Sequence, residues 1–196
     1  MPYQNQPGQA PEAAAAAEPE HPILPRIKAE FAGRGLLVGV YRGMTTILCP
    51  KDKLHDLLRF LRDDVACACD FLSDVTCVDY LNYPGAEHRF GVIYNLVSTT
   101  RNHRLFVKAL LDPSVETTGT EHDPALHLPT ATDLWPGAEW REREVYDMFG
   151  IRFDGHPDLR RILTWQDYPA HPLRKDYPLR GRGERDDYRV LTRESA

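Results

Sequence analysis

No stretch of this chain is apolar for long enough to cross a bilayer. Its apolar runs, such as Ala13 to Ala17, fall far below the ~18 residues of a spanning helix, so a soluble or peripheral protein is expected. Positive charge is not in excess. Lys and Arg number 24 against 29 Asp and Glu, for a formal net charge of −5. This excludes the basic footprint of a general nucleic-acid binder. Cysteine is scarce: Cys49, Cys67, Cys69 and Cys77 are the four present, clustered among apolar residues, and they read as reduced thiols rather than a disulfide framework. The N-terminus lacks a basic segment followed by an apolar one, so it does not read as a secretory signal. Glu12, Glu18 and Glu20, with no Arg before Arg26, also exclude a mitochondrial presequence, which leaves a bacterial cytosolic face as the expected location. There is no glycine-rich phosphate loop, no GxSxG elbow and no HExxH, so no nucleotide-binding or hydrolytic apparatus of these kinds is visible.

A chain of 196 residues, 42% of them hydrophobic, is sized for one domain plus extensions. Residues 1–21 are rich in Pro, Ala and Gln without periodicity and read as a disordered leader. Residues 23 to 33 fit a short helix with Ile23, Ile27 and Phe31 on one side, ended by Gly33 and Gly35. Two strands, Leu36 to Tyr41 and Met44 to Leu48, flank a hairpin turn at Arg42-Gly43. Residues 51 to 64 carry Leu54, Leu57, Leu58, Leu61 and Val65 at helical spacing. Three strand-like segments follow. Alternation in Cys67 to Leu81 puts Cys67, Cys69, Phe71 and Val75 on one face. Arg89 to Val97 has Phe90, Val92, Tyr94 and Leu96 on one face with Ile93 and Val97 on the other, as in a central strand. Arg104 to Leu111 aligns Leu105, Val107, Ala109 and Leu111. This order implies an α+β fold, a mixed sheet of about five strands with helices packed on it, over residues 22–150. Residues 112–129 read as a long loop, and Thr130 or Thr132 as the cap of a helix broken at Pro136-Gly137.

The densest chemistry lies further on. The spacing predicts a helix from Ala138 to Phe149, stopped by Gly150. On a wheel of about 100° per residue, Trp140, Val145, Met148 and Phe149 span an apolar half that also contains Glu144 and Arg141. A carboxylate there needs a partner: Arg141 at i,i+3, or the guanidinium of Arg160 or Arg161. Arg143 and Asp147 form an i,i+4 pair just outside that half. Beyond Gly150, prolines at 157, 169, 172 and 178 prevent long helices, so residues 151–196 read as an extended arm that must lie on a partner. From Arg160 to Arg193 nine basic residues face five acidic ones, with Tyr168, Tyr177 and Tyr188 interleaved. Asp167, Asp176, Asp186 and Asp187 argue against phosphate binding, and Arg with Tyr suits a protein interface.

With these residues in place the chain resembles a known family. Glu142-Arg143-Glu144, Asp147-Met148-Phe149-Gly150, His156-Pro157-Asp158-Leu159-Arg160-Arg161-Ile162-Leu163 and His171-Pro172-Leu173-Arg174-Lys175-Asp176-Tyr177-Pro178-Leu179 match, in order and spacing, the signature of the 30-kilodalton-type subunit, the C subunit, of respiratory complex I. The wider domain, including Asp79-Tyr80 and Phe90 to Ser98, is similar too. The resemblance implies a peripheral-arm subunit of a proton-translocating NADH:quinone oxidoreductase that carries no flavin, cluster or catalytic residue of its own. FMN, iron–sulfur clusters and quinone would belong to partner subunits. It implies the D subunit of complex I, here a separate chain, and the B subunit as partners. It also implies indirect attachment to the cytoplasmic side of the bacterial inner membrane. Under it Glu144 and Asp147 neutralise guanidinium groups of arm or partner, and Arg160, Arg161, Arg174 and Lys175 make charge-assisted contacts. Glu142, Arg143, His156, Asp158, His171 and Asp176 complete the expected partner-binding set, and Glu144→Gln is expected to lower assembly more than turnover.

Other readings compete. The equivalent subunit of a related membrane-bound hydrogenase or other donor:quinone complex is the alternative to that resemblance. His122 and His127, beside Glu121 and Asp123, are the candidate ligands of an independent metal-dependent hydrolase, with a surface loop the blander reading. Cys67-Ala68-Cys69 with Cys77 lacks CxxC spacing and reads as a set of small hydrophobes. His156 and His171, each followed by proline, read as hydrogen-bonding anchors, with Asp158 a candidate acceptor.

Overall fold

The computed structural model describes residues 21–115 and 122–184. The expected leader, apart from His21, and the end of the arm lie outside them. Helix α1 (Leu24–Glu30) is followed by strands β1 (Leu37–Tyr41) and β2 (Met44–Cys49) and helix α2 (Leu54–Asp63). Strands β3 (Phe71–Asp79), β4 (Phe90–Ser98) and β5 (His103–Leu111) come next, then β6 (His127–Pro129), helix α3 (Ala138–Phe149) and β7 (Arg152–Asp154). The five long strands form one mixed sheet in the order β1-β2-β5-β4-β3. β2 runs parallel to β5, and the other neighbours are antiparallel. The fold is therefore α+β with a five-stranded mixed sheet.

Local chemistry explains most boundaries. Arg42 and Gly43 both take positive φ, 51° and 74°, the geometry of the tight turn whose twist suits a two-residue hairpin. Leu54, Leu57, Leu58 and Leu61 of α2 are fully buried against the sheet. Phe90, Val92, Tyr94 and Leu96 of β4 and Leu105, Val107 and Ala109 of β5 bury the matching face. Fully burying such a side chain is worth about 1.5–3 kcal/mol, so this layer dominates the stability of the domain.

Several expectations are corrected. Val65 is 77% exposed, because α2 ends at Asp63 and Asp64 turns extended. Phe71 is exposed rather than aligned with Val75: Ala68 takes a positive φ of 43°, and a register shift between Leu72 and Asp74 moves Leu72 inward. Cys67 and Cys69 are buried in the preceding turn, and burial pushes both thiols up to about 12. The second face of β4 is only half-buried at Ile93 and Val97. The expected loop at 112–129 contains β6, which pairs parallel with β7, and residues 132–137 form turns rather than a helix.

Candidate functional site

Helix α3 ends at Gly150, whose φ of 76° is left-handed and costs glycine little. A helix leaves its last four carbonyls without partners inside the helix. Here the Gly150 amide donates to the Tyr146 carbonyl (2.8 Å), and the arm supplies the rest. His171 Nδ1 donates to the Asp147 carbonyl (2.9 Å), the Leu173 amide to Met148 (3.1 Å) and Arg174 Nε to Phe149 (2.7 Å). Arg161 Nη1 also reaches the Asp147 carbonyl at 3.2 Å. Two guanidinium groups thus sit at the negative end of the helix dipole. The approach is close enough that a Cβ at Gly150 would lie 2.6 Å from His171 Nε2 and 2.7 Å from Arg174 Nη2.

The Asp147 side chain holds the first loop of the arm. It is fully buried and accepts from the amides of Ile162 (3.0 Å), Leu163 (2.7 Å) and Thr164 (2.8 Å). It also accepts from the Thr164 hydroxyl (2.5 Å) and from Arg161 Nη1 (2.7 Å). Burial alone would raise this carboxyl. Hydrogen bonds from the Thr164 side chain and amide, from Arg161 and from Leu163 outweigh it and hold the group at about 2. Arg161 in turn donates to the carbonyls of Tyr168 and Ala170 at 2.7 and 3.0 Å. Arg143 donates to the carbonyls of Arg160 and Arg161, both at 3.1 Å. His156 Nε2 donates to the Glu139 carbonyl (3.0 Å), and its Nδ1 accepts from the Asp158 amide (3.0 Å).

A third latch ties the arm to the sheet. Asp79, buried at the end of β3, accepts from the Lys175 amide (2.9 Å) and the Leu81 amide (2.9 Å), and lies 3.5 Å from Arg89 Nη2. Arg89 bridges onward to Asp176 at 2.6 Å. Arg174, buried beside it, stacks its guanidinium over the Phe90 ring at 5.3 Å.

The structure thus brings Arg143, Asp147, His156, Asp158, Arg161, His171, Arg174, Lys175 and Asp176 to the seam between α3, β3 and the arm. It separates the others. Glu144 is not buried: its side chain is 47% exposed and, among the described residues, pairs with Arg141 alone, at 3.9 Å. The Arg143–Asp147 pair does not form, since Asp147 takes Arg161 instead, and Arg160 pairs with Asp158 at 2.8 Å on the surface. The Asp158 amide, not its carboxylate, meets His156. Trp140 is exposed, whereas Glu142 is fully buried. Glu142 accepts from Thr130 Oγ1 (2.6 Å) and the Ala131 amide (2.7 Å), and burial still lifts its carboxyl to about 7. Asp79, Arg89, Thr130 and Thr164 were not singled out as site residues. The signals for Asp79 are the family likeness of Asp79-Tyr80 and its place as an acid ending an apolar strand. His127 pairs with Asp154 at 2.8 Å, His122 packs on its ring, and Glu121 lies outside the described residues. Among the described residues no group of three or more His, Cys, Asp or Glu is placed to hold a metal ion, and no helix is long and apolar enough to cross a membrane.

Among solved structures, this fold is shared with a chain of an archaeal respiratory membrane complex, the membrane-bound sulfane sulfur reductase. The TM-score is 0.63 at 24% identity, covering 87% of this chain and 92% of that one. It is shared too with Nqo5, solved as a trypsin-resistant fragment (1-134), with a TM-score of 0.57 at 34% identity over 69% of this chain and 98% of that one. Residues 47–183 match the family of the respiratory-chain NADH dehydrogenase 30 Kd subunit, and the chain belongs to that family. The NADH-quinone oxidoreductase C subunit of Citrifermentans bemidjiense is 44% identical over 84% of this chain and 92% of its own length. That of Roseiflexus sp. is 42% identical over 80% of this chain and 83% of its own length. The C 1 subunit of the Rhizobium meliloti enzyme is 47% identical over 76% of this chain and 68% of its own length.

Proposed function

We propose that this subunit of the respiratory NADH-quinone oxidoreductase is a non-catalytic scaffold. Its seam holds the arm in one shape, and the arm holds the D subunit, and through it the B subunit, where quinone is reduced. FMN, iron–sulfur clusters and quinone then belong to partner chains, and attachment to the cytoplasmic side of the bacterial inner membrane is through those partners.

One observation carries the reading. The arm hydrogen-bonds to Asp147, Asp79 and the end of α3, and it leaves three of its leucines exposed. Leu163 is 66% exposed and Leu173 is 52% exposed, while Leu179 has no cover at all. Irregular chain that satisfies its backbone on its own domain and displays large apolar side chains is shaped to dock, since such side chains anchor interfaces when buried in a partner's pockets. The Leu163 amide donates to Asp147 while its side chain faces solvent, so the charge network aims that anchor.

The test is recovery of tagged chain from detergent-solubilised membranes. The D and B subunits are expected to co-purify, and Leu163→Asp with Leu179→Asp is expected to reduce that recovery at least tenfold without lowering the stability of the isolated chain. Intact assembly with lost turnover per complex overturns the scaffold reading.

A further inference from the structure

His21 stands just before α1 and His103 opens β5, far from the seam. Their rings meet edge to face, with centroids 5.2 Å apart and planes at 84°. Nε2 of His21 lies 3.0 Å from the backbone oxygen of Arg104. A carbonyl only accepts, so this nitrogen carries the proton and Nδ1 is a bare lone pair. That Nδ1 and both ring nitrogens of His103 are buried without a hydrogen-bond partner among the described residues. Buried polar atoms are nearly always bonded, and an orphan calls for an explanation such as a water or an ion. Edge-to-face packing accounts for the ring contact but leaves three nitrogens idle.

We propose that His21 and His103 together bind one transition-metal dication of the zinc and nickel class, with water filling its remaining positions. The geometry fits a shared ion. An imidazole bound at ~2.1 Å holds its centroid roughly 3.2 Å from the metal, so two rings on one tetrahedral ion sit about 5.2 Å apart. A ligating histidine commonly donates its other N–H to a backbone carbonyl, as His21 does to Arg104. Two imidazoles with no third protein ligand among the described residues suit zinc or nickel and not calcium or magnesium. His21 lies before residues 47–183, the segment matched to the family, whereas His103 lies within it. The bound ion ties the entry to α1 onto the start of β5.

The experiment titrates the full chain, stripped with chelator, with zinc chloride at neutral pH by calorimetry, and follows thermal unfolding with and without zinc. One equivalent is expected to bind and to raise Tm. His21→Gln and His103→Gln, made separately, are each expected to weaken that binding at least tenfold and to abolish the Tm shift. His127→Gln, at the other histidine pair, is expected to leave them unchanged. Failure of the wild-type chain to bind zinc overturns the proposal, as does binding that survives in both variants. Should a variant not fold, imidazole 15N shifts of the wild-type chain decide: zinc must move His21 Nδ1 and His103, and shifts confined to other histidines overturn the site.

Discussion

The two halves of α3 each bury a carboxylate completely, and they end in opposite states. Asp147 receives five hydrogen bonds, one from a guanidinium, and is held at about 2. Glu142 receives two, from Thr130 and Ala131, has no cation, and rises to about 7. Burial raises both, and the number and charge of the donors decides the outcome. The end of the helix that meets the arm is therefore locked as an anion. The end that meets the 130–131 loop sits at the edge of protonation.

The largest effect that tests this contrast is Asp147→Ala. It leaves the Arg161 guanidinium buried without its carboxylate and frees the amides of Ile162, Leu163 and Thr164. Breaking a buried pair from one side costs about 3–5 kcal/mol, to be read from urea unfolding of the isolated chain, with faster protease cleavage in the arm. A loss below ~1 kcal/mol means that the arm is held elsewhere. The acid dependence follows from the depressed carboxyl. Its contribution is present above the unfolded value of 3.8 and is lost as pH falls towards about 2.

Glu142→Gln comes next and carries the opposite sign. The native carboxyl binds a proton that the unfolded chain releases between 4.5 and about 7, so its contribution falls as pH rises through that window and is constant above it. His171 works against this. Burial lowers it from 6.5 to about 4, so its contribution is full above 6.5 and is lost as pH falls. The total curve is therefore shallow, and the quantity to measure is the wild-type stability minus that of Glu142→Gln. That difference is expected to fall by on the order of 3 kcal/mol between pH 4.5 and 7. A flat difference means that Glu142 stays ionised like Asp147.

Gly150→Ala probes how close the arm must lie. A left-handed φ with a side chain costs ~1–3 kcal/mol, and here the new Cβ also meets His171 and Arg174. Urea midpoints should place this variant between wild type and Asp147→Ala. An unchanged midpoint means that the arm stands off the helix end.

Much of this was legible in the chain. The Arg42-Gly43 turn, the leucine face of α2 and the span of α3 with its glycine stop followed from local pattern and lie where the residues placed them. The burial of α3 did not follow, because a wheel assumes one buried face chosen by apolarity. The arm covers Arg143 and Asp147 and the 130–131 loop covers Glu142, so all three are buried while Trp140 is exposed. The β6–β7 pair was invisible for another reason: three-residue strands have no room for alternation. Asp79 and Thr130 owe their roles to partners distant in sequence, which no local period reports.

The smallest effect sharpens the contrast most. Glu144 belongs to the same signature run as Glu142, and the wheel placed it on the apolar half, where a lone carboxylate would need a partner. Its side chain is instead half exposed, and its one ion pair, to Arg141, spans 3.9 Å. An exposed i,i+3 pair on a helix is worth about 0.2–0.5 kcal/mol, because water screens it and two flexible side chains must be held. Glu144→Gln is therefore expected to change the urea midpoint of the isolated chain hardly at all. If assembly into membranes nevertheless falls in this variant, Glu144 acts on a partner rather than on this fold. Stability and assembly falling together, as expected for Asp147→Ala, would make the two carboxylates alike and remove the distinction between holding the arm and facing outward.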